Sequence, residues 1–436
     1  MKFIFKILLI LYLVVGTVPN LDSLDKVVTQ WLYLNFLNTF ALFFLVIKGY
    51  PLKKYFFNKT SILFLALFIW SSISLFFAIN KVESIVVLSQ LFAIIITFII
   101  TMICLSEIER PFRFISNILS FYLIVELITI YLPFLNSATA LDQIYSRSSL
   151  FLGFAANVNI TAFSIIYKIP FLIYSILQLK KFKIISFISS FVIFALIIFA
   201  SGTLNSTRGA IITYTSLAPV LLIISIVIYF KSKEYKLMII SIIYSLSVII
   251  SFPFNSYLSD FFGKSEKNIT NRISSLNVLI EEGNVTDESI NQRKSFYSQA
   301  LSVIINNPLT GIGIGNWKIK SIDTNKENII GYTVPYHVHN DYLEIGAEIG
   351  LVGLLIYLTI LFFGFKNVVI NFTKIIFTRS KLLENSFICV AISLFIYIFL
   401  IDSNLNFPFH RPIVFINIIV LLAYLNSSEK FILNEE

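Results

Sequence analysis

Charge is what this sequence has least of. Asp, Glu, Lys and Arg make up 13% of its 436 residues, against 57% apolar. Soluble globular domains carry roughly 25% charged residues, so one large soluble domain is excluded. Cysteine is nearly absent, and Cys104 and Cys389 both fall inside apolar runs. They read as small core side chains, which excludes a disulfide framework or a cysteine-based metal site. No internal repeat is visible, which argues against the duplicated architecture common in transporters.

What is there instead is a succession of apolar runs. Twelve segments approach the length of about 20 residues that a bilayer-spanning helix needs. They fall near 3–19, 31–48, 61–79, 85–105, 114–134, 151–178, 184–201, 209–230, 237–254, 342–364, 386–402 and 410–426. The expected fold is an all-α polytopic membrane protein of about twelve transmembrane helices. The first run, "ILLILYLVVGTVPN" after Lys2 and Lys6, lacks a small-x-small cleavage pattern and reads as an uncleaved first helix.

Basic residues collect in alternate loops: Lys48, Lys53 and Lys54; Arg110 and Arg113; Lys180, Lys181 and Lys183; Lys231, Lys233 and Lys236; Lys366 and Lys374. The positive-inside rule then puts both termini in the cytoplasm. The net charge of +9 is explained by topology and requires no nucleic acid. Parity places the one long loop, residues 255–341 between spans 9 and 10, outside. Within it "NQRKSFYSQALSVIINNP" has the period of an amphipathic helix, with Phe296, Ala300, Val303 and Ile304 on one face and Pro308 beyond its end. The following "LTGIGIGNW" reads as a plain turn or, with no strand–helix unit around it, a weak phosphate-binding signal.

All three histidines lie on this outer side, in "YHVHNDYLEIGAEIGLVG" (336–353) and "NFPFHRP" (406–412). Asn340 or Asp341 is placed to cap the tenth span, with Glu344 completing a capping box. The same helix start offers a positive dipole end to anions, with His339 beside it able to move a proton. His337 and His339 alone make a poor zinc site, although His410 or Glu344 stands within reach in principle; no metal or other cofactor is expected. Gly346, Gly350 and Gly353 have the spacing that lets membrane helices pack closely. Arg208, in "LNSTRGAII", reads either as a snorkelling interfacial arginine or as a paired, water-facing group. Lys168 is the one basic residue well inside a span, either paired or lining a cavity.

Taken in order, these segments resemble the O-antigen ligase and O-antigen polymerase superfamily. "HNDYLEIGAEIGLVG" is similar to its His-Asn signature with two following glycines, Arg208-Gly209 resembles the Arg-Gly that opens the shared domain, and "RKSFYSQALSVIINNPLTGIGIGNW" looks like its loop segment. The resemblance is closest over about 155–365. It implies a GT-C-type membrane glycosyltransferase, with N-terminal helices in 1–150, a catalytic region in 151–365 that includes the external loop, and C-terminal helices and a short tail in 366–436. It implies transfer of a glycan from undecaprenyl pyrophosphate to lipid A–core or another glycan acceptor, at the periplasmic face of the bacterial cytoplasmic membrane. Carried over, His339 is the base for the acceptor hydroxyl, and Arg208 and Arg293 hold the pyrophosphate. Arg272, His337, Asn340, Glu344, His410 and Arg411 are further candidates for substrate binding. The expected partners are the lipid-linked glycan, its acceptor and membrane lipid.

The physics agrees. Outside the membrane there is no pool of nucleotide sugars, and no external Asp-x-Asp motif is present to clamp one. Energy must come from a bond already made, and a lipid pyrophosphate is one. Its leaving group gains charge that arginines and a helix N-terminus can stabilise. The alternatives are a polysaccharide polymerase sharing the same donor, a lipid-linked oligosaccharide flippase, and a scaffold that needs no His339.

Overall fold

In lipid every backbone amide and carbonyl must find a partner inside its own segment, so long apolar runs become helices. The computed structural model describes residues 1–19, 21, 26–136, 152–155, 157–179, 184–204, 207–261, 288–324, 336–377 and 384–427. Among these residues there is no strand. The N-terminal half contributes α1 (Lys2–Leu13), α2 (Lys26–Ile47), α3 (Leu52–Phe56), α4 (Lys59–Ser74), α5 (Lys81–Ser106), α6 (Pro111–Asn136), α7 (Val158–Ile166) and α8 (Ile169–Leu177). The second half adds α9 (Ile184–Ile198), α10 (Arg208–Ser232), α11 (Tyr235–Phe261), α12 (Glu288–Asn306), α13 (Trp317–Thr324), α14 (Asp341–Phe377), α15 (Glu384–Leu405) and α16 (Pro412–Ser427).

Among the described residues, ten helical segments are long and apolar enough to cross a bilayer. The twelve expected spans differ at the two ends of the chain. The first stops at Leu13 and tightens into a 3-10 turn over Val15–Thr17, and the last, α16, has only 16 residues. Pro412 fixes where α16 starts, because proline suits a first helical turn and not an interior. Packing is layered. Every residue of α16 from Pro412 to Tyr424 is buried, and it lies against α5, whose second half is buried as well. The periphery has the opposite character: Phe36, Phe40 and Phe43 form a stripe on α2, each at least 65% exposed. Such a stripe suits lipid, where aromatic exposure costs nothing.

The span expected at 151–178 is broken. Asn157 caps α7 by accepting the amides of Asn159 and Ile160 at 2.9 and 3.4 Å. The helix is interrupted at Tyr167–Lys168, just before Pro170, and restarts as α8. Lys168 is paired: its Nζ donates to Glu126 Oε2 at 2.8 Å, Ser164 Oγ at 2.7 Å and the Ser164 carbonyl at 2.8 Å. It also lies 4.7 Å from the centroid of the Tyr122 ring. Both charged side chains are sealed from the exterior, at 1% and 0% exposure. Removing one member strands the other, at a cost of about 3–5 kcal/mol. Lys168→Met is therefore expected to cut the amount of folded protein in membranes sharply, while Lys168→Met combined with Glu126→Leu restores it; detergent-solubilised yield by size-exclusion chromatography measures both.

Two helices differ from the sequence reading in ways that build the site. α11 continues to Phe261, into the stretch read as the long loop. α14 is interrupted at Ile349 and at Gly350, which has φ +70 and ψ 179. The break frees carbonyls that a continuous helix would use, and the glycine-rich segment after α12 takes them. Ile312 N–H donates to Ala347 O (3.1 Å), Gly313 N–H to Glu348 O (2.9 Å), and Leu351 N–H to Pro308 O (2.8 Å). Trp70 Nε1 donates to Ile349 O at 2.9 Å. The segment is wedged between α14 and the ends of α4 and α5, where Ile314 N–H donates to Ser74 Oγ and Ser84 Oγ donates to Ile314 O.

This corrects two readings. Gly346 and Gly350 meet Ile304 of α12 and the Leu309 backbone, so they admit α12 and the segment that follows it and not another spanning helix. The turn is also not left free for phosphate. Gly315 and Trp317 N–H donate to the two oxygens of Glu348, at 2.8 and 2.9 Å. An internal carboxylate already occupies the place of an anion.

Candidate active site

The short first part of α14 starts at a sharp turn. His339 takes φ +61, a left-handed conformation that a residue with a Cβ adopts only under constraint. Asn340 follows as the cap, its Oδ1 accepting the Leu343 amide at 3.0 Å. The expected capping box does not form, because Glu344 is used elsewhere. Its Oε2 accepts the Val338 amide at 2.8 Å, while its Oε1 lies 2.8 Å from His337 Nδ1 and 3.0 Å from His410 Nε2. Asp341 accepts the Phe409 amide at 3.2 Å. One helix turn thus ties the 336–340 strap to the 406–411 corner.

Phe407 is the hub of that corner. The His337 ring stacks on it at 4.0 Å with planes 16° apart, His339 meets it edge-on at 5.1 Å, and the Arg411 guanidinium carbon lies 4.6 Å from its centroid. A cavity of about 40 Å³ opens here, lined by His339, Arg411, Asp402, Asn406, Asn157 and Phe163 among others. That is room for a few waters or the hydroxyl-bearing edge of a larger molecule. Asn406 Nδ2 donates to Asp402 Oδ1 at 2.7 Å. His339 lines this space, and its buried Nδ1 makes no hydrogen bond among the described residues.

Electrostatics separate the three imidazoles. Burial, then the positive charge of Arg293, pushes His339 down to about 4, with His337 and Arg411 adding to the effect and Glu344 opposing it. Its neutral form therefore prevails at neutral pH. Burial lowers His337 as well, against the pull of Glu344. Burial would lower His410 too, but Glu344, Glu348 and Asp341 outweigh it and hold this imidazole above its usual value.

The structure brings His337, His339, Asn340, Glu344, His410 and Arg411 together, with Arg293 close enough to act on His339 through its charge. Arg208 opens α10 next to Gly209, where an added Cβ would lie 3.2 Å from Phe163 and 3.5 Å from Leu405, against the cavity wall. Arg272 lies outside the described residues. Phe407, Asp402, Asn406 and Asn157 were not singled out from sequence. Asp402 carried a usable signal, since an ionisable residue in an apolar span marks a functional position by default. One ligand atom each from His337, Glu344 and His410 lies within 4.8 Å of the others. Two imidazoles and a carboxylate match a divalent ion by donor type, although the same three groups already satisfy one another by hydrogen bonding.

Many apolar helices and a polar cluster at the start of one of them define a polytopic integral membrane protein. Residues 190–358 match the O-antigen ligase family model, and this match over a part of the chain supports the O-antigen ligase superfamily. No curated protein matches the chain in sequence.

Proposed function

We propose that the protein transfers a glycan from undecaprenyl pyrophosphate to a hydroxyl acceptor at the outer face of the bacterial cytoplasmic membrane, as an O-antigen ligase acting on lipid A–core. The observation that carries this reading is His339, a neutral imidazole with an uncommitted Nδ1, lining a cavity beside cationic side chains. The catalytic region is 151–365, flanked by the helices of 1–150 and 366–436, in a GT-C-like arrangement. The acceptor hydroxyl oxygen attacks the anomeric carbon while the bond from that carbon to the phosphate oxygen breaks. The proton passes to His339, and the lipid pyrophosphate leaves with the electron pair. Arg208 and Arg293 hold that leaving group, whose charge grows in the transition state. A dianionic donor beside Arg293 and Arg411 also offsets the positive field that weakens His339 as a base, so donor binding prepares the acceptor's proton transfer. The polar wall of Asn157, Asp402 and Asn406 suits sugar hydroxyls.

Arg208→Lys and Arg293→Lys each keep the charge and lose the forked donor geometry. Each is expected to reduce transfer by about tenfold or more, as an oxyanion contact does when lost; rates on a lipid pyrophosphate glycan measure it, and near-full activity of Arg208→Lys makes that residue merely interfacial. The function itself is tested by glycan profiling of a deletion strain complemented with the wild type or His339→Ala. Unattached lipid-linked chains in the deletion and His339→Ala strains identify a ligase. Attached single repeats without chains identify a polymerase, and full complementation by His339→Ala removes the mechanism.

A further inference from the structure

The strained turn at His339 is held from outside its own segment. The Tyr297 hydroxyl lies 3.0 Å from the His339 carbonyl oxygen and 2.9 Å from the Asn404 carbonyl oxygen. Asn404 belongs to the last turn of α15, where carbonyls have no partner within the helix. The hydroxyl has one proton, so the two carbonyls share it. Asn340 Nδ2 reaches Asn404 Oδ1 at 3.3 Å, which ties the same two segments a second time.

Tyr297 stands on α12, four residues after Arg293, a spacing that puts both on one helix face. Its ring is fixed by an apolar cluster in which Ala300, Val303 and Ile304 of α12 pack with Val338 and Ala347. The external helix therefore delivers two groups at once, a guanidinium whose charge reaches His339 and a hydroxyl that grips its backbone.

We propose that Tyr297 is the positioning residue for His339, setting the imidazole through its hydrogen bond to the strained backbone and so making the seating of the external helix part of the catalytic apparatus. This rests on the glycosyl-transfer reading only for its kinetic consequence. Tyr297 does not touch the reacting atoms. Burial raises its hydroxyl above the usual range, with Arg293 opposing, so it remains a proton donor at any physiological pH.

The test is Tyr297→Phe in the full-length protein, which keeps the ring in the cluster and deletes the hydroxyl. Loss of the grip is expected to lower kcat about 10- to 100-fold, the scale of an ångström misplacement of a catalytic group. The donor KM and the melting temperature stay at wild-type values. Diethyl pyrocarbonate gives a readout independent of activity: the carbethoxylation rate of His339, followed by peptide mass spectrometry, should shift in Tyr297→Phe while those of His337 and His410 do not. Unchanged kcat with an unchanged His339 rate overturns the proposal. So does a raised donor KM with a lowered melting temperature, which would make the hydroxyl a docking contact for α12 alone. If the wild type transfers no glycan but His339 reactivity still shifts, the positioning stands and the glycosyl-transfer reading fails. If His339→Ala abolishes transfer while Tyr297→Phe alters neither rate, the failure belongs to the positioning alone.

Discussion

His339→Asn is expected to lose glycan transfer by about 10²- to 10⁴-fold, the usual contribution of a general base, with no loss of protein from the membrane. Asparagine is the informative choice because it tolerates the left-handed backbone better than alanine does. A defect in that variant therefore reports lost chemistry and not a distorted turn. The pH dependence is fixed in sign by the same site. In the proposed mechanism His339 works as a base in its neutral form, and it is held at about 4 by burial and Arg293. Its contribution to kcat/KM, which reports the free enzyme, should be level between about pH 6 and 8 and fall only as pH drops toward that value. Transfer assayed across pH in nanodiscs checks this. An acidic limb near 6.5, absent from His339→Asn, would show an imidazole titrating as if solvent-exposed and contradict the described environment.

Gly350→Ala is the second large effect. A Cβ there would lie 2.0 Å from the Leu309 carbonyl oxygen and 2.3 Å from its carbon. Backbone cannot yield as a flexible side chain would, and the φ/ψ pair itself is open essentially only to glycine. Strain of about 1–3 kcal/mol comes from the dihedrals alone, and the overlap adds to it. The segment 308–316 must move off α14, which exposes Ala347 O and Glu348 O and unseats Gly315 and Trp317 from the Glu348 carboxylate. Little folded protein, with protease sensitivity gained in the segment after α12, is the expected outcome. Gly346→Ala is the milder comparison, since an added Cβ there meets the δ-methyl end of the Ile304 side chain at 3.0 Å and no backbone atom. Equal tolerance of both substitutions would show that the break is not the seat of the segment after α12.

Much of this protein could be read before any coordinate. Scarce charge and long apolar runs required membrane helices, because a backbone in lipid has no other way to satisfy its polar groups. Alternating basic loops give an expectation of topology by the same kind of local rule, which reporter fusions in 255–341 would test. The apolar face of α12, through Ala300, Val303 and Ile304, followed from its period and is buried as expected. The His-Asn stretch marked where chemistry is sought.

Tertiary structure alone decided what those residues do to one another. Glu344 looked like half of a capping box, since Asp341 stands three positions before it; in the fold it bridges His337 and His410, and His410 is 66 positions further along the chain. Glycines at spacings of four and three promised helix packing, but a φ of +70 at Gly350 turned that signal into a break. Glu348 fills the glycine-rich turn that the sequence left between a plain turn and a weak phosphate site. Phe407, Asp402 and Tyr297 were given no role from sequence, because their roles arise from contacts across long stretches of chain. Local sequence sets what each segment can satisfy by itself. Which partner completes an unsatisfied carbonyl, carboxylate or imidazole depends on what packing brings near, and that is settled only when the helices assemble.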